Sequence, residues 1–174
     1  MLTLKNFDDS VTATITDLPD SYRAMMSGLT LIGQPAIVIT LGLVGFIWAW
    51  KHSQSAIEHA FVYGIIAFSL NTLLKWLLRR ARPDELNVKT LGMQSYSFPS
   101  GHAFGTVIFY GLFAYLGIKY ISNPVDILVA TMMGVLIFLI GISRVYLGAH
   151  YPSDVVGGWL LGGISLLAVI GLAF

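Results

Sequence analysis

Apolar residues run in long blocks along this chain, and polar residues gather between the blocks. Five blocks approach the ~20 residues that a helix needs to cross a bilayer core, where every backbone group must be paired within its own segment. They cover roughly 27–50, 56–78, 101–119, 125–145 and 154–174. Ala24 to Trp50 contains no Asp, Glu, Lys or Arg, and Pro35 within it predicts a kink. Residues 1–23 are polar and acidic, unlike a cleavable leader. Phe7, Val11, Ile15 and Leu18 recur there about every fourth position, which predicts an amphipathic helix lying on the membrane surface. The pattern as a whole predicts an all-α, polytopic membrane bundle of about five transmembrane helices plus that surface helix. One membrane-embedded domain over residues 1–174 is expected.

Parity assigns the connections to sides. The stretch after the second span, the start of the third and the connection between the fourth and fifth share one side with the N-terminus. The turns near Lys51–Ser55 and Lys119–Asp126, and the C-terminus, lie on the other.

Composition agrees. The chain has 174 residues, 56% hydrophobic and only 11% charged, against about 25% charged in ordinary soluble domains. So short a chain cannot hide that much apolar surface in a water-soluble core. A net charge of +1 is too small to suggest nucleic acid. The absence of cysteine rules out disulfides, thiolate metal sites and a cysteine nucleophile.

The polar residues collect in three stretches on the parity-matched side: "KWLLRRARP" (75–83), "PSGH" (99–102) and "SRVYLGAHYPSD" (143–154). Ionised groups near lipid are costly unless paired or facing a wet cavity, so such residues are functional candidates. Lys75, Arg82 and Arg144 are three cations suited to phosphate, the arginines through a planar fork and the lysine as a point charge. Ser100 and Gly101 open the third span, and a helix N-terminus binds anions through its free N–H groups. Gly101 lets an anion approach the backbone, and Ser100 adds a hydroxyl. Asp154 follows His150 by four residues, a spacing that allows a hydrogen bond to one ring nitrogen and leaves the other as an unprotonated nucleophile or base. His102 is placed to act as the complementary acid, and the cations to stabilise charge on a phosphoryl group in transfer.

These stretches match a signature. Lys75, six residues, then Arg82–Pro83; Pro99–Ser100–Gly101–His102; and Ser143–Arg144, five residues, His150, three residues, Asp154 resemble the three motifs of the phosphatidic acid phosphatase type 2 family in order and spacing. The resemblance implies that His150 is the nucleophile, forming a phosphohistidine, that Asp154 orients it, and that His102 protonates the leaving group. It implies that Lys75, Arg82, Ser100, Gly101 and Arg144 hold the phosphoryl oxygens, with no metal or other cofactor. Membrane members commonly have six spans, so the first span of the larger members looks absent here.

The expected activity is therefore metal-independent hydrolysis of a lipid phosphate or diphosphate. Undecaprenyl diphosphate or phosphatidylglycerophosphate comes first by family analogy, then phosphatidic acid; the sequence does not measure the lipid tail. An anion transporter or channel is the alternative from another class, but the charges crowd at one end of the spans and not along a pathway. A non-catalytic membrane protein is disfavoured by the full set of candidate catalytic residues. The expected location is a bacterial cytoplasmic (inner) membrane. Arg79, Arg80, Arg82 and Lys89 on the motif side, against Lys51 and Lys119 opposite, would make the site cytoplasmic by loop charge. The resemblance implies that it faces the periplasm or exterior, and that orientation is preferred because catalytic cations are poor topology markers.

The remaining polar and small residues carry plainer expectations. Arg79 and Arg80 read as interfacial anchors, and His52 and His59 as interfacial or packing residues. Gly101/Gly105 and Gly158/Gly162 read as close helix contacts. Asn71 and Gln34 are expected to bond to other helices. The 15-residue connection 84–98 is longer than most and reads either as a plain link or as a lid over the site, with substrate gating the preferred expectation.

Overall fold

A computed structural model describes residues 3–83, 96–121 and 124–174. Of the connection 84–98, for which gating is the preferred expectation, residues 84–95 lie outside the described residues. Described residues are helical wherever they are regular: α1 (Leu4–Thr16), α2 (Arg23–Ile32), α3 (Pro35–Lys51), α4 (Ser55–Leu78), α5 (Gly101–Tyr120), α6 (Val125–Tyr146) and α7 (Pro152–Ala173). A single 3-10 turn, Asp20–Tyr22, leads into α2.

Four of these, α4 to α7, are each long and apolar enough to cross a membrane. The first expected span, roughly 27–50, corresponds to a bent pair of helices, which makes a fifth candidate crossing if the pair is counted as one. Asp20–Ile32 and Pro35–Lys51 meet at 44°, because Pro35 cannot donate to the preceding turn and starts a new helix at its first position. Gln34, expected to bond another helix, is instead exposed in that break. The break is held from inside the bundle: the Tyr110 hydroxyl on α5 donates to the Ile32 carbonyl at 2.7 Å. The chain is an integral membrane protein of all-helical architecture.

α5 is the hub, packed against α3, α4, α6 and α7. Phe104, Ile108, Phe109 and Leu112 on it are fully or almost fully buried. Small residues allow the close approach of α7: a Cβ at Gly158 would lie 2.9 Å from the Ser100 carbonyl oxygen, and one at Gly162 2.9 Å from that of Phe104. The small-residue reading of Gly158/Gly162 thus holds, and without an apolar driving force between helices in lipid such close packing is what joins them.

The surface helix is present but differently turned. Its inner face carries Asp8, buried, with Val11, Thr12 and Ile15 partly covered, while Phe7 and Leu18 are exposed. α1 packs on α6 and α7, and its Asp8 is fixed to the start of α7.

Candidate active site

The last turn of α4, the turns flanking α5 and α7, and the end of α6 build one polar cluster. Lys75, in the last turn of α4, donates from Nζ to the carbonyls of Tyr96 (2.8 Å) and Ser97 (3.4 Å). α4 ends at Arg79, whose left-handed backbone (φ 47°) turns the chain away from the helix. Arg82 then reaches the Ala149 carbonyl at 3.1 Å. The Asn71 amide, expected to bond a helix, donates to the Pro99 carbonyl just before α5 at 3.4 Å.

α5 begins where its sequence says it should, with Ser100 as N-cap, its hydroxyl accepting from Ala103 N–H at 3.5 Å. The Ser100 N–H donates to the backbone carbonyl of Asp154 at 3.0 Å, so the starts of α5 and α7 are tied together. Gly101 faces α4: a Cβ there would stand 3.3 Å from Asn71 Oδ1 and 3.9 Å from Lys75 Cε. His102 lies within electrostatic reach of Arg144, His150, Arg82 and Lys75. Its Nε2 and the Nε of Arg144 are buried without a hydrogen-bond partner among the described residues. Arg144 is otherwise anchored by a hydrogen bond to the Thr30 hydroxyl on α2.

After α6, Gly148 adopts φ 68°, a left-handed conformation that glycine takes without a Cβ penalty. The turn folds back so that the Ala149 and His150 N–H groups both donate to the Arg144 carbonyl, at 3.0 and 3.2 Å. His150 is thereby brought over the start of α7. Its Nδ1 lies 3.6 Å from Asp154 Oδ2, beyond ordinary hydrogen-bond range. The direct bond that the spacing suggested is therefore loose, and Ser97 fills in. Its hydroxyl sits 3.4 Å from His150 Nδ1 and hydrogen-bonds Asp154 Oδ2. With Nδ1 on this side, Nε2 points away from the carboxylate. Burial holds the His150 imidazole well below the usual histidine range, at about 4; Asp154 opposes that, and the charges of Arg82, Lys75 and Arg144 add to it.

Asp154, fully buried, divides its oxygens. Oδ2 takes the Tyr151 N–H at 2.9 Å as well as Ser97. Oδ1 takes Arg80 Nη1 at 2.7 Å. Arg80 was expected to be a lipid anchor like Arg79. Arg79 stays outside the cluster, its guanidinium over Trp76 and bonded to the Trp76 carbonyl. The anchor expectation fails for Arg80, which turns inward to bridge Asp154 and Asp8, because two buried carboxylates offer it short charge-assisted bonds.

All eight expected site residues thus gather at one end of the bundle; Asp8, Arg80, Ser97 and Thr30 are additions that sequence reasoning missed. Lys75, Arg82 and Arg144 surround the two histidines, while Arg80 is bound to Asp8 and Asp154. Such a cluster suits an anion with several oxygens. No group of three or more His, Asp or Glu side chains that could hold a metal is found among the described residues. Beside the cluster an apolar groove of about 630 Å³ runs between α1 and α7, walled by Leu4, Phe7, Leu78, Phe98 and Leu160, and meeting the polar residues through Arg80 and Ser153.

Comparison with known proteins decides the family. The family model of the PAP2 superfamily matches residues 55–174, which include every one of the eight positions. The chain belongs to the PAP2 superfamily. It is similar to phosphatidylglycerophosphatase B of Bacillus subtilis (strain 168), 31% identical over 151 residues that cover 84% of this chain and 73% of that protein. It is similar also to the putative undecaprenyl-diphosphatase YbjG of Escherichia coli (strain K12), 30% identical over 95% of this chain and 82% of the relative. Among solved structures it superposes on the transmembrane PAP2-type phosphatidylglycerolphosphate phosphatase from Bacillus subtilis with a TM-score of 0.83 and 27% identity, over 97% of this chain and 85% of that one. This PAP2 chain is a phosphoric ester hydrolase of the membrane lipid phosphatase kind.

Proposed function

We propose that the chain, acting as one domain, releases phosphate from a lipid phosphate or diphosphate through a phosphohistidine on His150. His150 Nε2 attacks phosphorus, and the bond from phosphorus to the leaving oxygen breaks. His102 gives that oxygen a proton, and Asp154, aided by Ser97, holds Nδ1–H. Water then attacks the phosphorus–nitrogen bond, His102 takes its proton, and phosphate leaves with His150 regenerated. Lys75, Arg82, Arg144, Ser100 and the backbone at Gly101 hold the phosphoryl oxygens; no step uses a metal. The observation that carries this reading is the convergence of Lys75, Arg82 and Arg144 on His102 and His150 at one end of bilayer-length helices. A low-lying His150 supports it, because the imidazole stays unprotonated across the neutral range.

Undecaprenyl diphosphate or phosphatidylglycerophosphate comes first as substrate, after the names of the relatives, and phosphatidic acid next, by family analogy. The setting is a bacterial cytoplasmic membrane with the site facing outward, so a reporter fused after Phe174 behaves as cytoplasmic. The test is phosphate release from those three lipids by purified protein in detergent, with a rapid alkaline quench after ³²P-labelled substrate. The intact protein should carry an acid-labile, base-stable label. His150→Ala should lose both label and turnover by more than about 1,000-fold, the scale seen when a nucleophile is removed, and chelator should change neither. Labelling or full turnover in His150→Ala refutes the mechanism.

A further inference from the structure

We infer that Asp8 on α1 and Arg80 after α4 are positioning residues for Asp154, so that the N-terminal helix is part of the machinery that aims the nucleophile. This rests on the phosphohistidine reading above. Asp8 is the only buried residue of α1, at 2% exposure. A helix whose single hidden side chain is a carboxylate is not docked by apolar packing alone. Asp8 Oδ1 accepts the Ser153 N–H at 2.8 Å, and Oδ2 accepts the Ser153 hydroxyl at 2.7 Å and Arg80 Nη2 at 2.6 Å. The other end of the same guanidinium, Nη1, donates to Ser153 Oγ and to Asp154 Oδ1, both at 2.7 Å. The Tyr151 ring lies under it, 4.4 Å from the guanidinium carbon.

The consequence falls on Asp154. Its Oδ1 belongs to Arg80, which leaves Oδ2 to face Ser97 and His150 Nδ1. With Arg80 on Oδ1 and the Tyr151 N–H and Ser97 on Oδ2, rotation of the carboxylate about its Cβ–Cγ bond is restrained from both sides, and Arg80 is the sole side-chain hold on Oδ1 among the described residues. Because the contact to His150 is already loose at 3.6 Å, small rotations of Asp154 decide whether the imidazole is held in the attacking tautomer. Lysine at 80 keeps a charge but cannot fork to both carboxylates. Asparagine at 8 keeps the shape and removes the charge that fixes Arg80.

The experiment measures kcat and KM for phosphate release in detergent micelles from whichever of phosphatidic acid, phosphatidylglycerophosphate and undecaprenyl diphosphate turns over best, together with thermal midpoints in the same detergent. Arg80→Lys and Asp8→Asn should each lower kcat about 10- to 100-fold, the range for groups that orient a reacting ligand, with KM within about two-fold. The double variant should lose no more than Arg80→Lys alone, because both act through one carboxylate. Asp9→Asn, the exposed neighbour on α1, should leave kcat unchanged. Lowered midpoints with unchanged kcat in folded Asp8→Asn and Arg80→Lys, or an equal loss in Asp9→Asn, overturn the inference alone. No release from any of the three lipids by the intact protein overturns it together with the function on which it rests.

Discussion

α5 and α6 are adjacent helices of nearly equal length, and they use the bilayer in opposite ways. α6 is the more apolar of the two, yet only 11% of its spanning window is buried, whereas 56% of that of α5 is. In water the order would be reversed. Lipid tails are as apolar as leucine, so Leu128, Met132, Val135 and Phe138 of α6 gain nothing by hiding and face outward. The interior goes to what packs closely or must be paired: Gly105, Thr106, Tyr110 and a stack of ring and branched side chains on α5. Hydropathy therefore finds the spans and misorders their depth in the bundle. The two helices still meet at their polar ends, where α5 opens on His102 and α6 closes on Arg144, within electrostatic reach of each other.

Four perturbations would break or sharpen that contrast, from the largest effect down. Gly158→Leu drives a side chain into the backbone at Ser100 and Phe104, which cannot give way as a side-chain tip would. Phosphate release and the folded yield in detergent should both fall at least ten-fold, and near-normal yield with normal activity would mean that the α5–α7 seam is not rigid. Acid should come next. The folded His150 protonates near 4 and the unfolded one near 6.5, so between those values the unfolded chain binds more protons. Stability therefore falls as pH drops through that window, by up to about 1.4 kcal/mol per pH unit. The thermal midpoint of the intact protein should decline from pH 6.5 to 4, and His150→Gln should flatten that slope. Ile108→Ala, at a site with 0% exposure on α5, should cost about 1–3 kcal/mol, less than in a water-soluble core because lipid removes most of the transfer contribution and leaves lost packing. Leu128→Ala on α6, 58% exposed, should change stability by less than about 0.5 kcal/mol. Equal midpoint losses for these two alanine variants would erase the contrast.

The same physics explains what could be read from the chain beforehand. Spans and motif spacings are local properties, so the helices, the bend at Pro35 and the eight clustered residues were legible. The contacts of Asp8 were not, because they join positions 72 and 145 residues apart through the fold. A faint signal existed: Asp8, Val11 and Ile15 share one helical face, and an acid on an apolar stripe demands a partner. Arg80 was obscured by Arg79 beside it, two like residues with opposite fates. Ser97 had no motif to mark it, and only the fold brings its hydroxyl between the carboxylate and the imidazole.

The hydrogen bond from Tyr110 to the Ile32 carbonyl also fixes relative depth. An interrupted helix within hydrocarbon exposes a carbonyl that no lipid tail can satisfy. Here the donor that satisfies it stands eight residues along α5 from His102, about 12 Å at the usual rise of a helix. The bend and His102 are thus marks on one ruler, so that displacing either along the bilayer normal would carry the other with it.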